Sequence, residues 1–241
     1  MSDRRVAVVT GANKGIGLEI SRQLAKQGIR VYIGARDEVR GRQAAEKLRA
    51  EGLDAQPLRL DVTDAGSVTA AAATLERDAG RLDILVNNAG IAIDDGRPSR
   101  VSEDALRRTY ETNVFGVVRT TQAFLPLLRR SDAGRIVNLS SGLGSLTKNS
   151  DPKWEFASVK FLAYNSSKSA VNAITVQFAW ELRDTKIKVN AADPGYVATD
   201  MNQNQGIRSV EQGAATPVRL ALLPADGPTG GYFNDEGPIP W

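Results

Sequence analysis

Short apolar runs alternate with longer segments of helical periodicity along the chain. Runs of five to seven residues rich in valine, isoleucine and leucine are typical of strands buried on both faces. Between them, apolar residues recur at the three- and four-residue spacing of amphipathic helices. The pattern predicts strands at residues 6–10, 30–35, 57–62, 82–87, 135–140 and 186–192, and a last strand near 230–234. It predicts helices at about 15–28, 38–51, 64–79, 102–130, 162–184 and 209–223.

This alternation predicts an α/β fold: a single Rossmann-like, doubly wound parallel sheet of about seven strands with helices on both faces. No repeat or linker interrupts the pattern, so we expect residues 1–241 to form one domain that both binds a dinucleotide and carries out catalysis. Ser102, followed by two acidic residues, predicts the start of a helix. The least regular segments, 142–161 and 200–209, follow predicted strands, where doubly wound sheets place their ligand crevice.

Composition narrows the possible chemistry. The chain has no cysteine and no histidine, which excludes disulfides, thiolate nucleophiles, the Ser-His-Asp triad and most zinc sites. We expect no metal site. The 31 basic and 28 acidic residues give a net charge of +3, and the basic residues are scattered, so we expect no nucleic-acid partner. Any reaction must use serine, tyrosine, lysine, acidic residues, arginine or a bound cofactor.

The amino-terminal residues predict where the protein works. Five polar residues precede the first apolar run, which is unlike a signal peptide. No uncharged apolar run approaches the ~20 residues that a membrane helix needs. We therefore expect a cytoplasmic protein that does not engage a membrane.

A glycine-rich turn joins the first strand to the first helix. The segment TGANKGIG (10–17) spaces Gly11, Gly15 and Gly17 as G-x3-G-x-G, which differs from the G-x-G-x-x-G fingerprint. Glycines let the backbone turn sharply and approach a pyrophosphate, which the amides and dipole of the helix start then bind. Tight packing alone is the alternative explanation, but the position after a first strand favours dinucleotide binding.

The end of the second strand indicates which dinucleotide is bound. NAD sites place an acid there to hold the ribose 2′-hydroxyl, whereas a 2′-phosphate needs cations. Here the strand ends in Ala35 and Arg36, and Lys14 in the glycine turn adds a second cation. Both could simply be solvated surface residues, but together they favour NADPH/NADP+. Asp37 is the one residue against this interpretation.

Beyond these features, an ordered set of motifs resembles the short-chain dehydrogenase/reductases. The set covers nearly the whole chain: TGANKGIG (10–17), DV (61–62), NNAG (87–90), TNVFG (112–116), NLSS (138–141), YNSSK (164–168) and PGYVAT (194–199). The carboxyl-terminal half, especially residues 214–233, resembles the NADPH-dependent carbonyl reductase branch. The resemblance implies reduction of ketones and aldehydes.

The resemblance also implies catalytic roles. Tyr164 would deliver a proton to the substrate oxygen while hydride passes from the nicotinamide to the carbonyl carbon. Lys168, one turn further on, would lower the pKa of the phenol together with the oxidised nicotinamide and hold the nicotinamide ribose. Ser141 would bind the substrate carbonyl, with Ser140 as the competing choice. Asn113 would hold a water that links Lys168 to solvent.

Further residues would bind the cofactor. Asp61 and Val62 would flank the adenine ring, and Asn88 and Gly90 would lie beneath the cofactor. Asn87 could instead only tie neighbouring strands together. The resemblance implies the following cofactor-binding set: Gly11, Asn13, Lys14, Gly15, Ile16, Gly17, Arg36, Asp61, Val62, Asn88, Gly90, Tyr164, Lys168, Pro194, Gly195, Val197 and Thr199.

The remaining expectations concern the substrate and the assembly. The aromatic residues Trp154, Phe156 and Tyr196, with Met201, could line an apolar substrate pocket or serve as core or subunit contacts. The segment 142–163 is shorter than the insertion of monomeric carbonyl reductases, which leaves a monomer and a homo-oligomer both open. The short segment 200–213 suggests an open pocket and broad selectivity. Two alternatives remain: a reductase of 3-oxoacyl thioesters or sterols, and a sensor that binds NADP(H) without turnover.

Overall fold

The structure, a computed structural model, describes residues 4–94 and 96–241, and its secondary structure follows the predicted alternation. The strands of this part of the chain are β1 (Val6–Thr10), β2 (Arg30–Ala35), β3 (Ala55–Arg59), β4 (Ile84–Asn87), β5 (Arg135–Leu139), β6 (Lys188–Ala192), β7 (Tyr232–Asn234) and β8 (Gly237–Pro238). The helices are α1 (Gly15–Lys26), α2 (Glu38–Ala50), α3 (Ala65–Ala79), α4 (Glu103–Tyr110), α5 (Gly116–Leu128), α6 (Leu146–Ser150), α7 (Leu162–Glu181) and α8 (Val210–Ala221).

The strands form one sheet in the order β3-β2-β1-β4-β5-β6-β7-β8. Strands β1 to β7 are parallel, and β8 pairs antiparallel with β7. The chain winds outward from β1 in one direction and from β4 in the other. The gap between the carboxyl ends of β1 and β4 is therefore the switch point at which such sheets bind ligands. The prediction of a doubly wound parallel sheet is confirmed.

Alternating side chains of the strands bury both faces of the sheet. In β1, Ala7 and Val9 pack in one apolar core with α1, α2 and α8. Val6 and Val8 point the other way, into a second core with α3, α5 and α7. Each fully buried valine or leucine stabilises the fold by roughly 1.5–3 kcal/mol. Two cores of this kind hold the strand ends, and hence the switch point, rigidly in place.

Three differences from the predicted elements have a direct physical cause, while β4 and β6 each begin two residues later than predicted. β3 begins two residues before the predicted start and tolerates Pro57 because it lies at the sheet edge, where a missing N–H is not needed. The predicted helix 102–130 is divided into α4 and α5 by a π-helical turn at Glu111–Phe115. In the described chain the sheet has eight strands, one more than expected, because β8 is a two-residue hairpin partner that periodicity cannot detect. Ser102 caps α4 as predicted, accepting from the amide of Ala105 at 3.1 Å.

Candidate active site

The site lies at the switch point, where Thr10 at the end of β1 fixes the loop after β4. The Oγ1 atom of Thr10 accepts hydrogen bonds from the amides of Asn88 and Ala89, each at 2.9 Å. The side-chain Nδ2 of Asn88 donates to the carbonyls of Thr10 at 2.8 Å and Gly11 at 3.2 Å. Asn88 therefore holds the glycine turn against the loop that follows β4.

The three glycines of the turn are needed for different reasons. A Cβ on Gly17 would lie 2.4 Å from Nδ2 of Asn88, and one on Gly11 would lie 2.9 Å from Cα of Ala89. Tight packing therefore explains Gly17, whereas Gly11 has both a close contact and a positive φ of +62°. Gly15 has φ +57°, and a Cβ there would meet only the methyl of Thr199, at 3.7 Å. Gly15 thus has a positive φ, and the space beside it is open. A turn whose backbone binds a ligand needs both properties.

The start of α1 offers free donors beside this turn. Its N-cap residue is Lys14, whose ammonium cannot accept a hydrogen bond, and the first intrahelical bond runs from the amide of Leu18 to Lys14 at 3.3 Å. The amides of Gly15, Ile16 and Gly17 precede that bond, and the helix dipole adds partial positive charge. These features fit a pyrophosphate.

Cations surround the end of β2, as predicted. Arg36 is exposed there, and Arg40 lies one turn into α2. The ammonium of Lys14 pairs with Asp200 across the cleft at 2.7 Å, so it is shared with the loop after β6. The carboxylate of Asp37 caps α2, accepting from the amide of Arg40 at 3.0 Å. Sequence reasoning missed Arg40, although its place in the first turn of the helix that follows Arg36 could have indicated it.

A groove of about 430 Å³ lies beside Lys14 and Arg40, and Arg36 is not among its lining residues. Its lining comprises Asn13, Lys14, Leu18, Arg40, Gln43, Ala44, Lys47 and Asp200. Three of these side chains are cationic and one is anionic, which fits a dinucleotide with a third phosphate better than one without it.

The other predicted cofactor residues flank the same cleft. The Oδ1 atom of Asp61 accepts from the amide and hydroxyl of Thr63 at 2.9 Å and 2.7 Å, which fixes the turn after β3. Val62 is buried, and a Cβ on Gly116 would lie 2.9 Å from it. Asp61 and Val62 therefore lie on a rigid loop at the β3 side of the switch point.

The loop after β6 forms the opposite wall. It contains Pro194 and Gly195, and Gly195 has φ +75°. Val197 is buried and forms a parallel bridge with Arg208. The amide of Thr199 donates to Oδ1 of Asn202 at 3.1 Å, and the methyl of Thr199 faces Gly15. The structure thus brings the PGYVAT motif opposite the glycine turn.

The predicted catalytic serine and tyrosine meet at the carboxyl end of β5. Ser141 and Tyr164 share a side-chain hydrogen bond, and the amide of Leu143 donates to Oγ of Ser141 at 3.2 Å. Burial raises the pKa of Tyr164 to about 12, against the lowering effect of the Ser141 hydrogen bond, and Asp193 raises it further. Ser140, the competing choice, is buried and donates to Oδ1 of Asn172 at 2.6 Å. The geometry favours Ser141.

Lys168 lies beneath the tyrosine ring. Its Nζ is 5.6 Å from the ring centroid of Tyr164 and donates to the carbonyl of Leu139 at 2.7 Å. A Cβ on Gly90 would lie 3.6 Å from the same Nζ, so Lys168 borders the cofactor cleft. Burial lowers the pKa of Lys168 to about 8. We expected this ammonium to lower the pKa of the phenol, but burial dominates the pKa of both groups.

Asn113 lies in the π-helical turn and is 1% exposed. Its Oδ1 accepts from the amide of Ile91 at 2.8 Å, and its Nδ2 donates to the carbonyl of Ile91 at 2.9 Å and to Oγ of Ser167 at 3.0 Å. Both N–H groups of the side-chain amide are therefore used, one on the loop after β4 and one on Ser167 of α7. A bound water would use the second lone pair of Oδ1 or the backbone of this residue.

Asn87 proves to be a strand tie, which was the alternative role considered for it. It is 3% exposed, and its Nδ2 donates to Oδ1 of Asn138 at 2.9 Å and to Oγ1 of Thr121 at 3.0 Å. Thr120 donates to its Oδ1 at 2.7 Å, and Asn138 donates in turn to Thr175 at 2.9 Å. This buried network joins β4 and β5 to α5 and α7 and keeps the polar groups satisfied.

Sequence reasoning missed two acidic residues near the site. The carboxylate of Asp94 accepts from the amides of Ala163 and Tyr164 at 2.8 Å and 3.0 Å. Asp193 is 7% exposed, and its Oδ1 accepts from the amide of Gly195 at 2.9 Å. Burial raises the pKa of Asp193. Neither acid belongs to a sequence motif that indicates the site. Asp94 acts through a contact that is distant in sequence, and Asp193 acts through its burial.

An aromatic wall lies beside Ser141. Trp154 and Phe156 meet edge to face with ring centroids 5.5 Å apart, and Phe156 meets Tyr196 at 6.0 Å. Trp154 closely approaches Gly142, the residue after Ser141: a Cβ there would lie 3.3 Å from the indole ring. These rings and Met201 are partly exposed, as a substrate wall requires and a core does not.

A larger groove, of about 870 Å³, lies on the outer face of α4 and α7 and is lined by residues such as Leu106, Phe115 and Leu162. None of the predicted site residues is among its lining, so it is a separate surface. Among the described residues, no helix is long and apolar enough to cross a bilayer.

The fold and the cleft together define a dinucleotide-binding protein of the doubly wound class. The family model for short chain dehydrogenases matches residues 5–209. The chain is 40% identical to a (+)-neomenthol dehydrogenase of Arabidopsis thaliana, over 95% of this chain and 96% of that protein. It is 36% identical to carbonyl reductase (NADPH) 1 of Mus musculus, over 100% of this chain and 99% of that protein. The chain belongs to the short-chain dehydrogenase family.

A solved structure extends the likeness to the whole fold. The NADPH-bound carbonyl reductase from chicken fatty liver superposes with a TM-score of 0.86 at 28% identity, covering 99% of each chain. The alignment with the Arabidopsis protein spans 286 positions, more than the 241 residues of this chain, so that relative carries segments that this chain lacks.

Proposed function

We propose that this chain reduces ketones and aldehydes to alcohols with NADPH, using Tyr164 as the proton donor. The chain is an NADP(H)-dependent oxidoreductase that acts on carbonyl or alcohol groups, as are the relatives named carbonyl reductase. The observation that carries the finer proposal is the contact of Tyr164 with Ser141, with Lys168 beneath the same ring.

Different residues of the cleft would bind different parts of the cofactor. The free amides at the start of α1 would bind its pyrophosphate, and Lys14, Arg36 and Arg40 would bind its 2′-phosphate. Asp61 and Val62 would border the adenine, while Asn88 and Gly90 would support the cofactor from the β4 side. Pro194, Gly195, Val197 and Thr199 would close the nicotinamide end. When bound, NADPH supplies the hydride that the carbonyl carbon receives.

The catalytic side chains would bind the carbonyl oxygen of the substrate and supply its proton. The amide of Leu143 donates to Oγ of Ser141, so the serine hydrogen, which faces the phenol of Tyr164, would turn to a bound substrate carbonyl and stabilise its developing charge. The phenol of Tyr164, kept protonated by its raised pKa, donates the proton that completes the alcohol. Lys168, with a pKa of about 8, exchanges protons readily near neutral pH and can help to restore the phenol.

The aromatic wall supports an apolar, ring-bearing carbonyl substrate. Trp154, Phe156 and Tyr196 present ring faces and edges beside Ser141, where a flat or cyclic ketone would pack. A 3-oxoacyl thioester or sterol-type reductase uses the same catalytic groups and differs only in this wall and the loops. A sensor that binds NADP(H) without turnover remains the alternative of a different class.

The decisive experiment follows NADPH oxidation at the nicotinamide absorbance with aromatic aldehydes, cyclic ketones, quinones and 3-oxoacyl thioesters, with NADH in parallel. We expect turnover with NADPH, and a loss of roughly 10²–10⁴-fold in kcat for Tyr164→Phe with NADPH binding retained. Tyr196→Phe is the matched control, since it makes the same change in the substrate wall. Binding without turnover in the unaltered protein would support the sensor instead.

A further inference from the structure

The helix that carries Tyr164 receives its N-terminal acceptor from a distant loop. Helix α7 begins at Leu162, and its N-cap residue is Phe161, which has no side-chain acceptor. The carboxylate of Asp94 occupies that role instead. Its Oδ1 accepts from the amide of Ala163 at 2.8 Å, and its Oδ2 accepts from the amide of Tyr164 at 3.0 Å. One carboxylate thus binds the peptide group of the proposed proton donor directly.

The loop that carries Asp94 also touches the cofactor cleft. This β4 loop, residues 88–94, begins at Asn88, whose side chain holds Gly11 of the glycine turn. Its next contacts are with the catalytic groups: a Cβ on Gly90 would lie 3.4 Å from Oδ1 of Asn113. Ile91 then pairs with Asn113 through both its amide and its carbonyl. A single seven-residue segment therefore connects the glycine turn to the first turn of α7.

The Asp94 end of this segment holds the start of α7 through two hydrogen bonds. A carboxylate at a helix start satisfies free amides and opposes the positive end of the dipole, and both effects stabilise the first turn. The contact fixes the backbone of Tyr164, and a displacement of about 1 Å at a reacting group can reduce a rate about 10²-fold. A change in the conformation of the β4 loop can therefore shift the phenol of Tyr164 through Asp94.

We propose that Asp94 is a positioning residue that transmits occupation of the cofactor cleft through the β4 loop to Tyr164. A cofactor that rests on Asn88 and Gly90 orders the β4 loop, and Asp94 then orders the first turn of α7. The inference rests on the proposed function in taking Tyr164 as the proton donor. It goes further in assigning a task to a residue outside the family motifs.

A purely stabilising helix cap is the competing explanation, and Asp64 provides the matched control. Asp64 is itself the N-cap residue of α3, where it accepts from the amide of Gly66 at 2.9 Å, and it is exposed and makes no contact with the catalytic groups. Asp94→Ala and Asp64→Ala should lower the melting temperature by similar amounts. Only Asp94→Ala should lower kcat, by about 10- to 100-fold, with the Kd for NADPH changed less than about threefold. Asp94→Asn should give an intermediate loss of kcat, because its single side-chain oxygen can accept from only one of the two amides of Ala163 and Tyr164.

Hydrogen exchange tests the coupling without requiring turnover. Exchange of the peptide 161–168 would be measured with and without NADP+ in the full chain and its variants. We expect NADP+ to slow this exchange severalfold in the unaltered protein and in Asp64→Ala, less in Asp94→Asn, and to have little effect in Asp94→Ala. An equal response in Asp94→Ala would overturn the inference even if Tyr164→Phe is inactive. Coupling that depends on Asp94 in a protein without turnover would keep the inference and refute the proposed function.

Discussion

Nζ of Lys168 donates a hydrogen bond to the carbonyl of Leu139, 2.7 Å away at the end of β5. This contact holds a 5%-exposed ammonium under the ring of Tyr164. Burial lowers the pKa of Lys168 to about 8 because a charged group loses its water there. The burial that brings the pKa of Lys168 close to neutral, where it can exchange protons, therefore also lowers the free energy of unfolding.

Replacing Lys168 should raise stability and remove activity. Since the pKa falls from 10.5 to about 8, Lys168 contributes full stability only above pH 10.5, and that contribution is lost as pH falls through 8. The loss amounts to about 3 kcal/mol at neutral pH. Lys168→Met would remove this destabilisation, but it would leave the carbonyl of Leu139 without its donor, which costs about 1 kcal/mol. We expect a net gain of about 2 kcal/mol at pH 7 by urea unfolding, and none at pH 10.5.

The pH dependence of catalysis should respond to Asp193. This buried carboxylate raises the pKa of Tyr164, so Asp193→Asn should lower it. Alcohol oxidation needs the phenolate and gains rate as pH rises through that pKa, whereas reduction needs the phenol and loses rate. The pH profiles of alcohol oxidation and of carbonyl reduction should both move to lower pH. A shift of half a pH unit in either profile appears as about a threefold change in rate at fixed pH. Asp132→Asn, an exposed carboxylate far from the site, should leave both profiles in place.

Cofactor preference should depend on the arginines after β2. Arg36→Ala or Arg40→Ala should raise the KM for NADPH about tenfold, the loss expected for one charge-assisted contact, and change that for NADH about twofold at most. Arg42→Ala is the control, because this exposed arginine pairs with Glu38 on the same helix. Equal effects on both cofactors would refute the assignment. Asp37 caps α2 and also pairs with Nε of Arg40 at 3.6 Å, so it partly offsets the charge of that arginine.

The buried network around Asn87 should be a stability element without a catalytic role. Asn87→Ala leaves the side chains of Asn138 and Thr121 short of a partner, and we expect a loss of about 2–4 kcal/mol in unfolding free energy. Thr121→Val, which removes a single contact, should cost less. The kcat of the folded Asn87→Ala fraction should remain within about twofold, and a large kcat loss would contradict the strand-tie role.

The sequence by itself determined the doubly wound sheet, and it predicted the place of the cleft and the tyrosine and lysine of the proposed site. Apolar alternation is a local property, and the spacing of Tyr164 and Lys168 fixes one helical turn whatever surrounds it. Only the tertiary structure decided between Ser140 and Ser141, made Asn87 a strand tie, and brought Asp94 and Asp193 to the site. Those outcomes depend on contacts between residues far apart in the chain. The pKa values of Tyr164 and Lys168 likewise depend on how much water the packed elements exclude, which no local pattern records.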